Sequence, residues 1–171
     1  MAPTDPPAPG DPATHSLRIL VDADACPVKD EIFRVAWRLE VPVWVVSNSR
    51  MRLPEHPLVH RVVVSDGFDA ADDWIAQAAG PSAVVVTADI LLADRCLKAG
   101  AAVIGPTGRE FTASSIGGAI ATRAIMADLR AGAGAESLGG VGGPAPFGKA
   151  DRSRFLQSLD TTLVRLRRQA G

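Results

Sequence analysis

The chain has 171 residues, 47% hydrophobic and 22% charged, enough for one sizeable core and too short for two full-sized domains. A formal net charge of −1 gives no global signature of a nucleic-acid-binding surface, and two cysteines exclude a disulfide framework, so a reducing, cytoplasmic setting is expected. The charge is unevenly placed: residues 1–94 carry 7 Lys/Arg and 14 Asp/Glu, net −7, while residues 95–171 carry 11 and 5, net +6.

Residues 1–16 are rich in proline and lack Lys, Arg and any apolar stretch, so they read as a disordered tail rather than a signal peptide or anchor. No later apolar run is long enough to span a bilayer. One domain is expected over 17–169. It opens with the apolar run Leu17–Val21, the turn Asp22-Ala23-Asp24-Ala25-Cys26-Pro27, and then Val28, Ile32, Val35 and Leu39 at helical spacing. Pro27 suits a first helical turn, where its missing N–H has no intrahelical acceptor. Val43–Ser47 and Arg61–Ser65 read as strands two and three, joined by a loop holding Arg50 and Arg52. Asp66-Gly67-Phe68-Asp69 leads into a helix from Ala70 to Ala79, ended by Gly80-Pro81.

Ala83–Thr87 is the fourth strand, Asp89 caps a helix to Lys98, Gly100 ends it, and Ala101–Ile104 is the fifth strand. Thr112, Ser114 and Ser115 can cap a helix from Ile116 to Arg130. A Gly-rich loop then occupies about 131–150, and Asp151 is expected to cap a last helix with Phe155, Leu159, Leu163 and Leu166 inward. Short apolar strands alternating with helices predict an α/β domain: a mainly parallel sheet of about five strands, with helices on both faces.

In a parallel sheet the residues just after each strand gather at one edge, where ligands of such folds bind. Asp22 and Asp24 follow strand one, Asp66, Asp69 and Asp72 follow strand three, and Asp89 follows strand four, so these carboxylates should share that edge. Each aspartate alone could be a turn former or helix cap. As a group they repel and shift toward protonation unless a cation neutralises them. Oxygen donors without His or Cys select a hard ion, Mg²⁺ or Mn²⁺, which polarises phosphoryl oxygens and can supply a hydroxide-like nucleophile.

Val21-Asp22-Ala23-Asp24-Ala25-Cys26-Pro27, Gly67-Phe68-Asp69-Ala70-Ala71-Asp72 and Val86-Thr87-Ala88-Asp89-Ile90 together resemble the YaiI/YqxD family of bacterial proteins. Gly142-Gly143-Pro144, Arg123 and Asp151-Arg152 with Phe155 follow in the same order, so the resemblance runs from about Leu17 to Leu166. That family is similar to PIN and NYN domains, and the resemblance implies a PIN-like fold whose acidic residues bind Mg²⁺ or Mn²⁺ and cut RNA. Carried over by position, Asp22, Asp72 and Asp89 would be the catalytic metal ligands, with Asp24 and Asp69 in support. Asp66 stays outside that set, and Asp73 and Asp94 read as solvated helix residues.

Thr87 and Asn48 are candidates to touch substrate or water, and Arg50 and Arg123 to grip an anionic chain, as Arg52, Arg109 and Lys149 also could. Cys26 reads as a packed turn residue and Cys96 as core. His15, His56 and His60 fall in the tail and a loop and receive no role. Trp37, Trp44 and Trp74 read as core. The leading functional expectation is a metal-dependent phosphodiesterase on RNA. Asp22-Ala23-Asp24 also resembles the opening motif of haloacid-dehalogenase-type phosphatases, with Asp22 as nucleophile, although Cys26 departs from that motif. A third possibility is a module that binds metal and nucleic acid without turnover.

Overall fold

The computed structural model describes residues 16–23, 26–65, 67, 69–118, 120–121 and 147–170. Within them lie β1 (Arg18–Asp22), α1 (Lys29–Leu39), β2 (Val43–Ser47), β3 (Val59–Val63), α2 (Ala70–Ala78), β4 (Ala83–Val86), α3 (Ile90–Lys98), β5 (Ala102–Ile104), β6 (Glu110–Phe111) and α4 (Lys149–Ala170). Residues 113–118 are also helical. Most of the expected helix to Arg130, the tail 1–15 and the Gly-rich loop up to 146 lie outside the described residues.

The six strands form one sheet in the order β3-β2-β1-β4-β5-β6. All neighbours pair in parallel except β5 with β6, which is antiparallel. Helices cover both faces, as expected, but the expected five strands become six. The added strand, Glu110–Phe111, is only two residues long and carries no alternating pattern that could announce it.

Strand alternation divides the core. Ile19, Val21, Val43, Val45, Val84, Val86 and Ile104 face one way, toward Ile32 and Val35 of α1 and Phe155, Leu159 and Leu163 of α4. Leu20, Val46, Val62, Val85 and Val103 face the other way, toward Trp74 and Ile75 of α2 and Leu92 and Cys96 of α3. Every residue of β2 and β4 is buried, which is why both sequences are apolar throughout except for the closing Ser47 of β2. Arg18, buried at the base of β1, donates to the carbonyl of Ala78 at 2.7 Å and so satisfies the end of α2.

Several local expectations are corrected. The third strand runs Val59–Val63 rather than Arg61–Ser65, because the register places Val59 against Val43 and Val63 against Ser47. His60 therefore belongs to a strand, and its ring stacks on Trp44 with centroids 4.4 Å apart. Trp37 is 40% exposed rather than core, stacked between Phe33 and His56 on the outside of α1. Pro27 precedes α1 by two residues, leaving Val28 in the cap position with no side-chain hydrogen bond. Asp151 lies inside the first turn of α4 and reaches back to the Gly148 N–H at 3.0 Å, the second half of a capping box without its first.

Gly108 is held at φ +88 in the turn between β5 and β6, where a Cβ would meet the Arg154 backbone at 2.6 Å. Only glycine lets that turn lie against α4. No helix among the described residues is long and apolar enough to cross a membrane.

Candidate functional site

The strand order reverses between β1 and β4: the chain winds outward from β1 through β2 to β3, then returns to place β4 on the other side of β1. Such a reversal opens a crevice at the carboxyl ends of the two strands. Asp22 is the last residue of β1, and Thr87 follows Val86, which pairs with Val21. Alternation turns both side chains toward the face that carries α2 and α3. Those two helices begin at this same edge, α2 with Asp69 at its cap and α3 with Asp89.

Hydrogen bonds tie part of this edge together. The buried Thr87 hydroxyl donates to Asp22 Oδ2 at 2.8 Å and accepts from the Asp89 N–H at 3.0 Å. Asp89 Oδ1 in turn accepts from the N–H groups of Leu91 and Leu92, at 2.9 and 3.2 Å, so Asp89 is a helix cap as its sequence position suggested. Asp69 differs. It occupies the cap position of α2 yet makes no side-chain cap hydrogen bond, so helix capping does not account for its carboxylate.

Asp72 joins the group electrostatically. Burial, then the carboxylates of Asp89, Asp22 and Asp69, push its carboxyl up from 3.8 to about 6, with Arg95 opposing. Arg95 itself pairs with the exposed Asp73 at 3.0 Å, and Asp94 pairs with Lys98, so those two aspartates are surface residues as expected. Four of the five aspartates singled out in the sequence thus converge. The fifth, Asp24, lies outside the described residues, as do Asp66 and Arg123.

The convergence stops short of a closed ligand set. Among the described residues, no three His, Cys, Asp or Glu side chains are grouped closely enough to hold a metal ion. Asn48 and Arg50, after β2, are exposed, and so are Arg52, Arg109 and Lys149. Ser47 is buried, and its hydroxyl is taken by the Ser49 carbonyl. Both cysteines are free thiols. Burial raises the Cys26 thiol, with Lys29 opposing and Asp22 and Glu31 adding to the rise, so it is not activated. Burial likewise pushes the core thiol of Cys96 up to about 12.

Near this edge the structure also joins two residues whose pairing the sequence does not announce, although Asp151-Arg152 is one of the elements that carry the family resemblance. Glu31, in the first turn of α1, is buried and accepts from Arg152 of α4 at 3.0 Å. Their separation of 121 positions puts such a pairing beyond any local pattern.

A family profile described as "Uncharacterized BCR, YaiI/YqxD family" matches residues 20–165. A UPF0178 protein of Sphingopyxis alaskensis is 72% identical over 150 residues, covering 88% of this chain and 95% of the relative. UPF0178 proteins of Jannaschia sp. and Nitrobacter winogradskyi are 55% and 54% identical, over 87% and 90% of this chain and 94% of each relative. No solved structure matches the chain.

Proposed function

The chain belongs to the YaiI/YqxD family, and from that premise we propose that its acidic edge binds a hard divalent cation, Mg²⁺ or Mn²⁺, in the service of phosphodiester hydrolysis on RNA. The observation that carries the reading is geometric: Asp22 and Asp89 are joined through the Thr87 hydroxyl, at 2.8 and 3.0 Å, at the topological switch point where Asp69 starts α2 and where burial and the neighbouring carboxylates raise the Asp72 carboxyl. Such a group is under electrostatic stress that a cation relieves. The donor chemistry fits a hard ion, since the converging side chains offer carboxylate oxygens and one hydroxyl and no imidazole or thiolate.

Asp22, Asp72 and Asp89 would hold the ion, with Asp24 and Asp69 assisting. When bound, such an ion supplies charge to phosphoryl oxygens and lowers the pKa of a water. The protein's own contributions follow from the geometry. Thr87 fixes the orientation of Asp22. Asp89 is anchored through Oδ1 to its helix, which sets where the rest of the carboxylate lies. Asp72, whose carboxyl is raised by burial and by the carboxylates around it, would be drawn toward its ionised form by positive charge placed beside it. The exposed Arg50 and Asn48 stand after β2 at the same edge, where an anionic strand would meet them.

RNA as the substrate comes from the likeness of the family to PIN and NYN domains, an analogy of fold rather than of site. The test is a calorimetric Mn²⁺ titration of the full-length protein alongside cleavage assays on varied RNAs with Mg²⁺ and Mn²⁺. Asp22→Asn should abolish both signals. Absence of binding and of cleavage in the wild type defeats the proposal. Binding without cleavage leaves a metal-binding module, and a phosphate analogue trapped covalently on Asp22 would instead indicate phosphatase chemistry.

A further inference from the structure

The turn that carries the acidic element out of β1 is fastened from the far end of the chain. Nη1 of Arg152 donates to the Pro27 carbonyl at 2.9 Å and to Glu31 Oε1 at 3.0 Å. Its guanidinium lies 4.9 Å from the centre of the Phe147 ring, which limits the directions it can take. Lys29 donates to the Cys26 carbonyl at 3.0 Å, and the Cys26 N–H returns to the Ala23 carbonyl at 3.4 Å. Consecutive carbonyls of the segment between Asp22 and α1 are therefore held by cations, one from α1 and one from α4.

Burial decides which of these contacts matters. The Arg38–Asp160 and Arg165–Glu110 pairs lie between side chains that are each well exposed, and such pairs contribute little. The Glu31 side chain is 12% exposed, and its other oxygen, Oε2, is buried without a hydrogen-bond partner. Removing Arg152 would strand a buried carboxylate at the start of α1 and release the Pro27 carbonyl at once. The Pro27 carbonyl, two residues before α1, would then lose its tie to α4, leaving the Cys26 carbonyl held by Lys29 alone.

We infer that Arg152 is a positioning residue for the acidic edge, acting through Glu31 and the Pro27 carbonyl to hold the turn after β1. The inference rests on the reading of that edge as a cation site. It gives a purpose to the Asp151-Arg152 element, which the proposed chemistry does not otherwise use. It also makes the basic C-terminal helix a structural part of the acidic site rather than a separate surface.

The test is made on full-length protein carrying Arg152→Ala, Arg152→Lys or Glu31→Ala, with circular dichroism to verify the fold. Hydrogen exchange followed by mass spectrometry reads residues 22–28, and Mn²⁺ titration reads the site. Arg152→Ala and Glu31→Ala should each speed exchange of 22–28 about tenfold relative to α2 and α3, and weaken Mn²⁺ binding about tenfold. The double variant should be no worse than either single one, because the two side chains act as a unit. Arg152→Lys, with one ammonium for two acceptors, should recover part of both effects.

Unchanged exchange in 22–28 overturns the inference, and so does faster exchange with wild-type Mn²⁺ affinity. If the wild type binds no Mn²⁺, the cation reading fails by itself. The clamp is then judged by exchange alone: local acceleration upholds it, and its absence refutes it. Should Arg152→Ala unfold, Arg152→Lys and Glu31→Ala carry the same comparison.

Discussion

The two helical layers on either side of the sheet serve different ends. The α1/α4 layer closes with a 22-residue helix whose Phe155, Leu159 and Leu163 are wholly buried. The α2/α3 layer is made of two nine-residue helices, both starting with an aspartate at the sheet's carboxyl edge. One layer seals the core. The other presents charge, and the strain of doing so is visible in the raised carboxyl of Asp72. Strand alternation gives each face its own buried core and sends Asp22 and Thr87, at the ends of β1 and β4, to the α2/α3 side alone.

The largest effect expected from breaking this division is in the sealing layer. Phe155→Ala should lose about 3–5 kcal/mol of stability in denaturant unfolding, as for other fully buried aromatic truncations. A loss below 1 kcal/mol would show that α4 is not a core element. In the charged layer, Asp22→Asn should leave unfolding nearly unchanged while lowering metal-dependent RNA cleavage by about a hundredfold or more, the scale of several kcal/mol of lost charge stabilisation. Equal rates for variant and wild type would detach Asp22 from the chemistry.

Thr87→Val tests the seam between the layers. It removes the donor to Asp22 and the acceptor for the Asp89 N–H, so it should destabilise by about 1–3 kcal/mol and weaken Mn²⁺ binding. A destabilisation with unaltered binding would make Thr87 purely structural.

The pH dependence sharpens the contrast further. The folded pKa of Asp72 is raised from 3.8 to about 6, so its favourable contribution is fully present below about pH 4 and is lost as pH rises through 6. Without divalent cation, thermal stability should therefore rise from this group as pH falls from 7 toward 4. Asp72→Asn should flatten that window, and a wild-type slope retained in the variant would assign the titration elsewhere. The smallest effect belongs to Arg38→Ala: its pair with Asp160 is exposed on both sides, and about 0–1 kcal/mol is expected from urea unfolding.

Much of the fold was legible because its strands are short and buried on both faces. β2 was readable to the residue, and β1, β4 and β5 to within one, since an apolar run bounded by turn residues has few other interpretations. β3 was misplaced by two residues because it lies at the sheet edge, where Val64 remains apolar past the last paired position, Val63, and His60 looks like loop. Trp37 misled for a related reason: an aromatic at helical spacing reads as core, yet Trp37 is 40% exposed, stacked on the buried Phe33 on one side and on the loop residue His56 on the other.

The candidate site divides the same way. Sequence alone led to the expectation that Asp22, Asp24, Asp69, Asp72 and Asp89 share one edge of the sheet, because parallel strands must deliver their carboxyl ends to the same side. It also determined the family, through motifs whose order survives along most of the chain. Only the tertiary structure decided how those aspartates differ: Asp89 is bound to its helix, Asp69 is left uncommitted at a cap position, Asp22 is held by Thr87, and Asp72 is stressed by the other three. Only the fold, too, could bring Arg152 to Glu31, since a contact across 121 positions depends on how two helices pack and leaves no periodic trace in the chain.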